Sequence, residues 1–193
     1  MEKIPITGSV VKKFAKRFSK KIGFTIVTKG SLMWAFGFIQ RRVKDRYANL
    51  IGKMADSLRP MAVWKFVFIP FKIGGGKVDP INQLRVLVHE AVHVIRIQGW
   101  KEDGGTVASW YHAYYTNPTF RATEEALAIA AEAQVMLALG RKFDFPDLRS
   151  GYFIGKSDQA HAEKVFDKHL STPGVSLNVV RSALAVLRDL GVL

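Results

Sequence analysis

The sequence predicts an α+β fold that is mostly helical. Apolar residues recur at helical spacing over most of the chain, one stretch is rich in aromatic and β-branched residues, and capping residues stand where the helical patterns begin and stop. With 193 residues, 48% hydrophobic and 11% aromatic, the chain can bury a sizeable core with a modest extension, which argues against a disordered or fibrous protein.

From the N-terminus, Val10, Val11, Phe14 and Phe18 fall at helical spacing. Lys12, Lys13, Lys16, Arg17, Lys20 and Lys21 fill the remaining positions, so Gly8 to Lys21 reads as a basic amphipathic helix. An apolar stretch, Phe24 to Val27, and a turn at Lys29 and Gly30 follow. A longer helical pattern through Phe36, Ile39, Val43, Tyr47, Leu50, Met54 and Leu58 should stop before Pro60. Met61 to Phe71 is expected as a strand, confined to an edge or ending at Pro70, which has no backbone donor. Gly74, Gly75 and Gly76 form a turn.

Asp79 as N-cap, Pro80 at the first helical position and Gly99 as stop define a helix from Pro80 to Gln98 of roughly five turns. Its apolar residues surround it almost completely, so it should be buried. A glycine-containing loop leads to Trp110, Tyr111, Tyr114 and Tyr115, read first as core packing, and Asn117 and Pro118 break the chain. Alanines and leucines beyond Arg121 give a second buried helix to Leu139, closed by Gly140. Asp158 to Leu170 and Leu177 to Leu190 suit a closing helical hairpin.

Charge divides the chain. Residues 1–77 hold 17 Lys and Arg against three acids, whereas residues 78–193 hold 12 against 13. A basic helical N-terminal extension, 1–60, is therefore expected beside a near-neutral domain, 61–193. The extension suits an anionic partner, whether a lipid surface, nucleic acid or an acidic protein. Cysteine is absent, which removes disulfides, thiolate ligands and cysteine nucleophiles. No signal peptide or membrane span is read from the N-terminal apolar stretches, and a cytoplasmic or particle-associated location is the default expectation.

Chemistry concentrates in VHEAVHV, residues 88–94, an HExxH motif. Histidines four apart lie one above the other on a helix, so His89 and His93 can hold one ion, with Glu90 beside them as general base. With five His and seven Glu in the chain, chance gives about 0.005 such motifs. Core histidines satisfied by backbone carbonyls are the competing explanation, but three ionisable groups on a buried helix are costly without a purpose. A third ligand is required, and no histidine follows closely after Ile95. Glu124, Glu125 and Glu132 on the second buried helix, or His112, are available.

In this respect the chain resembles zincin metallopeptidases whose third ligand is a glutamate from a downstream helix. Arg121, Ala122, Thr123, Glu124, Glu125, Ala126, Leu127 and Ala128 are similar to the R-A-x-x-E-x-x-A pattern of small bacterial and phage zincin-like proteins. The resemblance spans roughly residues 61–140 and implies a zincin-like fold with a small sheet beside the HExxH helix. It also implies Zn²⁺ held by His89, His93 and Glu125, with Glu124 and His112 as alternatives for the third place. The expected function is a zinc metallopeptidase in which Glu90 assists attack of a zinc-bound water on a peptide bond of a peptide or protein substrate. The alternative is a non-enzymatic zinc-binding module with a basic docking surface.

Overall fold

The computed structural model describes residues 4–28, 60–152, 154–171 and 177–193. The helical pattern from Phe36 to Leu58, the turn at Lys29 and Gly30, and the Pro173–Gly174 connection lie outside the described residues.

Helix α1 (Gly8–Ile22) begins where the Thr7 side chain accepts the Val10 amide and ends at Gly23, whose φ of 88° is the left-handed conformation that glycine adopts without strain. Strand β1 (Thr25–Thr28) follows, and β2 (Met61–Val63) and β3 (Phe66–Ile69) complete one sheet in the order β1-β3-β2. Then come α2 (Pro80–Glu102), α3 (Val107–Thr116) and α4 (Pro118–Ala138). The chain closes with the short α5 (Arg149–Tyr152), α6 (Lys156–Ser171) and α7 (Leu177–Asp189). The α+β, mostly helical architecture expected from the sequence is present.

One core joins α1, the inner face of the sheet, α2, one side of α4 and α7, with Phe14, Phe18, Ile69, Leu84, Leu87 and Leu187 fully buried. The other side of α4 packs on α6 and the loop before it through Ala122, Ala126, Ala130, Ala133, Ala162 and Phe166. Alanines on that side keep the side-chain layer between α4 and α6 thin. Helix α4 is thus buried on both sides and is the central element.

Four sequence expectations are corrected. Met61 to Phe71 is not one strand but a hairpin, reversed at Trp64 and Lys65, with Trp64 at φ 52°. Strand β2 is the edge, β3 is central, and Pro70 lies just past the end of β3, where its missing amide costs no ladder bond.

The helix expected to stop at Gly99 runs on to Glu102, because Trp100 packs on Phe120 and its indole donates to Ser109 Oγ at 2.9 Å. One interior glycine costs only about 1 kcal/mol, less than those contacts return. The chain turns instead at Gly104, φ 87°.

The aromatic cluster is carried by a regular helix, α3, closed at its start by a capping box of Thr106 and Ser109. Asn117 and Pro118 do not merely break the chain. They start α4, Asn117 accepting the Phe120 amide at 3.0 Å.

The described part of the region expected as an extension, 4–28, is built into the core. Phe14 and Phe18 are fully buried and β1 pairs in parallel with β3, Thr25 opposite Phe66. The first turn of α1 lies directly on the glycine turn before α2, where a Cβ on Gly8 would come 2.6 Å from Gly74 O. Buried Gln83 fastens that turn by accepting the Gly74 amide and donating to Gly75 O and Val78 O. Among the described residues no helix is long and apolar enough to cross a membrane.

Removing a large side chain from a filled core costs its transfer free energy plus a cavity term. Phe14→Ala should therefore lower the unfolding free energy by about 3–5 kcal/mol in a urea titration. A loss under about 1 kcal/mol would show that α1 is not part of the cooperative core.

Candidate metal centre

Helices α2 and α4 face each other along a polar stripe that runs antiparallel. Arg85, His89, His93 and Arg96 on α2 meet Glu132, Glu125 and Glu124 on α4. Spacings of three and four residues put the α2 set on one side of its helix, and seven residues align Glu125 with Glu132 on α4, with Glu124 about 100° round from Glu125. All three acids lie where the helix is buried, and burial of a carboxylate demands a partner.

Three side chains converge at the centre of the stripe. His89 Nε2 and His93 Nε2 are 3.2 Å apart, and Glu125 places Oε2 3.2 Å from His89 Nε2 and Oε1 3.3 Å from His93 Nε2. His93 and Glu125 are buried, and the His89 side chain is 11% exposed. These three form a group able to hold a metal ion, so the structure brings together His89, His93 and Glu125 of the sequence-predicted set. Buried Glu125 Oε2 has no aligned hydrogen-bond donor despite its short distance to His89, which leaves a lone pair directed at the centre of the group.

Two alternatives for the third position are placed elsewhere. Glu124, the residue before Glu125, is fully buried and accepts from Arg96 Nη2 at 2.6 Å and Nε at 2.9 Å. His112 is exposed on α3 and is not in the group.

Glu132, named among the acids available as third ligand, lies outside the group and bonds the back of His89 instead. Its Oε1 lies 2.6 Å from His89 Nδ1, and its Oε2 accepts from Arg85 Nε at 3.0 Å. A carboxylate accepts only, so Nδ1 of His89 must carry the proton, and in the neutral ring Nε2 keeps its lone pair for an ion. Two helical turns separate Glu125 from Glu132, and that spacing was the available signal. Tyr114 was also missed: its hydroxyl donates to Glu125 Oε1 and orients the carboxylate. Arg121 donates to the carbonyls of Tyr114 and Tyr115, which holds the end of α3 against α4.

Glu90 is 6% exposed, lines the same cleft, and has Oε2 unpartnered. Burial pushes its carboxyl above the ordinary 4.5. The neighbouring imidazoles pull down, and Glu125 and Glu132 push up again. His89 loses basicity to burial, yet its bonds to Glu125 and Glu132 outweigh that and hold it well above 6.5. Glu125 would be raised by burial, but His93 and the bonds from both imidazoles hold it well below the usual carboxylate range.

The centre opens into a cleft of about 1030 Å³. Met61 and Ala62 of β2 form one wall, the α3 aromatics Trp110, Tyr111, Tyr114 and Tyr115 another, and Phe143 and Tyr152 a third. The aromatic cluster therefore lines the site as well as packing internally: Trp110 stacks on Tyr114 at 5.2 Å and meets His93 edge-on at 6.0 Å. The Tyr111 hydroxyl donates to Ala62 O and ties α3 to the edge strand. No family model matches the chain, and neither a curated protein nor a solved structure does.

A metal ion held by this group would compete with a proton for His89, so the metal-free chain has its own response to pH. Glu125, depressed from 4.5 on folding, contributes stability that is present above that value and is lost as pH falls toward its folded pKa. His89, raised from 6.5, contributes stability that is complete below 6.5 and disappears as pH rises through its folded pKa. Metal-free protein should therefore be most stable between about pH 4.5 and 6.5, and His89→Ala should lose the alkaline edge of that window in the same denaturation series while His93 keeps part of the acid edge.

Proposed function

We propose that the chain is a zinc-dependent metallopeptidase, zincin-like in the arrangement of its site. The carrying observation is the group His89, His93 and Glu125 with Glu90 unpartnered beside it in one cleft. Zinc bonds of about 2.0–2.1 Å in tetrahedral geometry separate neighbouring ligands by roughly 3.3–3.4 Å. The 3.2 Å between the two Nε2 atoms fits that edge length, each Glu125 oxygen lies 3.2 or 3.3 Å from one imidazole, and two imidazoles with a carboxylate suit zinc. When bound there, zinc would polarise a substrate carbonyl and make a water acidic near neutral pH.

The chain's own groups supply the rest. Glu90 takes the proton of the attacking water on its free Oε2 and passes it to the leaving amine. Its raised pKa brings it nearer to neutral pH, where a general base works best. Glu132 holds His89 in the ligating tautomer, and Tyr114 fixes the rotamer of Glu125. The edge of β2 that pairs with no other strand among the described residues offers an extended peptide a strand to pair with beside the site. Tyr111 lies across that edge on Ala62 O, so a pairing substrate displaces its hydroxyl.

Two measurements test the assignment. Elemental analysis of protein purified without chelator or histidine tag should give about one zinc per chain, and His93→Ala should lose it. Absence of metal from the unmodified chain would remove the peptidase reading altogether. Glu90→Gln should keep the metal and lose about 10²- to 10⁴-fold in kcat/KM against a panel of unfolded polypeptides. The acidic limb of the unmodified enzyme should lie above pH 4.5. Full zinc occupancy with no cleavage of any polypeptide would favour a non-enzymatic zinc-binding module instead.

A further inference from the structure

We propose that α1 and the tip of the β2–β3 hairpin form a binding surface for single-stranded nucleic acid, with phosphates along the α1 cations and a base stacked on Trp64. This surface is separate from the metal centre and does not rest on the peptidase reading.

Helix α1 presents Lys12, Lys13, Lys16, Arg17, Lys20 and Lys21, all exposed, and contains no acid. None of them joins an ion pair among the described residues. They occur in adjacent pairs every four residues, so each pair lies about 6 Å further along the axis and the six form one continuous charged row. A row of unpaired like charges repels itself, and a polyanion relieves that repulsion while releasing its own counterions.

Packing selects among anionic partners. The apolar side of α1 is already spent on the core, Val11, Phe14 and Phe18 being fully buried. A helix lying in a membrane interface needs that side for the acyl boundary, so α1 has nothing to insert.

The hairpin tip adds a second, independent feature. The Thr25 amide donates to Lys65 O at 2.7 Å, which ties the turn to the residues that directly follow α1. At that turn Trp64 is 39% exposed with φ 52°, a left-handed conformation that glycine or asparagine would adopt with less strain. An indole held in solvent against its backbone preference points to a contact outside the chain. Lys101 Nζ lies 4.8 Å and Lys65 Nζ 5.5 Å from the ring centre. Insertion of this ring into hydrocarbon would dehydrate both ammonium groups, whereas a stacked base leaves them beside its phosphates. Phe66, 41% exposed and next to Lys65, offers a further ring. Glu102 and Asp103 directly follow Lys101 in sequence.

The test is fluorescence anisotropy of a labelled oligothymidylate titrated with the full chain, in chelator and at several salt concentrations. Phosphatidylserine vesicles and a duplex of equal length are run alongside. The oligonucleotide should bind, with log affinity falling against log salt by about 0.7 per phosphate contact. Lys13→Glu combined with Arg17→Glu should weaken binding and flatten that slope. Trp64→Ala should weaken it roughly five- to 150-fold at unchanged slope, with Trp64→Phe recovering most of the loss. Thermal melts of each variant establish folding, and all three positions are exposed. The proposal is overturned by no oligonucleotide binding at low salt, with or without vesicle binding. It is equally overturned by duplex binding as tight as single-strand binding, by full affinity after charge reversal, or by full affinity in Trp64→Ala.

Discussion

Helix α4 is buried on both sides and carries three carboxylates, and the rest of the molecule is arranged around compensating them. An isolated buried carboxylate costs several kcal/mol even after relaxation, so each acid must meet a donor inside the protein. Among the described residues every ionic partner comes from α2: Arg96 for Glu124, both histidines for Glu125, and His89 with Arg85 for Glu132. Tyr114 from α3 supplies one further bond to Glu125. Sliding α2 along α4 by a single turn would strand all three acids at once, so polar pairing fixes a register that alanine and leucine packing alone would leave loose.

The same pairings compose the candidate centre. Two imidazoles and a carboxylate within 3.3 Å of one another are an awkward set without an ion, because the acceptor atoms face each other and the low local dielectric strengthens every mismatch. A proton on His89 relieves this in the metal-free chain, and a divalent cation would relieve it more completely. Glu132 is common to both states, since it bonds Nδ1 of His89 whether Nε2 holds a proton or an ion. Stability and site chemistry are therefore not separable at these positions.

Much of this was legible in the residues. The HExxH spacing, the Asp79–Pro80 start of α2 and the alanine-rich run of α4 are local signals, and local signals survive without knowledge of the fold. The reversal at Trp64 was not legible, because Trp-Lys carries none of the glycine or asparagine chemistry that marks a two-residue turn. Nor was the continuation past Gly99, which depends on Trp100 reaching Phe120 and Ser109 from the next helices. The α3 aromatics read as packing when taken alone, yet they also wall the cleft, and only the position of α3 against α4 reveals it.

By itself, then, the sequence determined α1, α2, α4 and the two closing helices, the histidine pair on α2 and the basic character of α1, because each follows from spacing and charge within a single element. Tertiary structure decided which glutamate joins the histidines. Glu124 and Glu125 are neighbours with the same chemistry, and a helix turns about 100° between them. That rotation alone sends one to Arg96 and the other to the histidines. The choice depends on where α2 lies across α4, a relation between elements distant in the chain that no local pattern encodes.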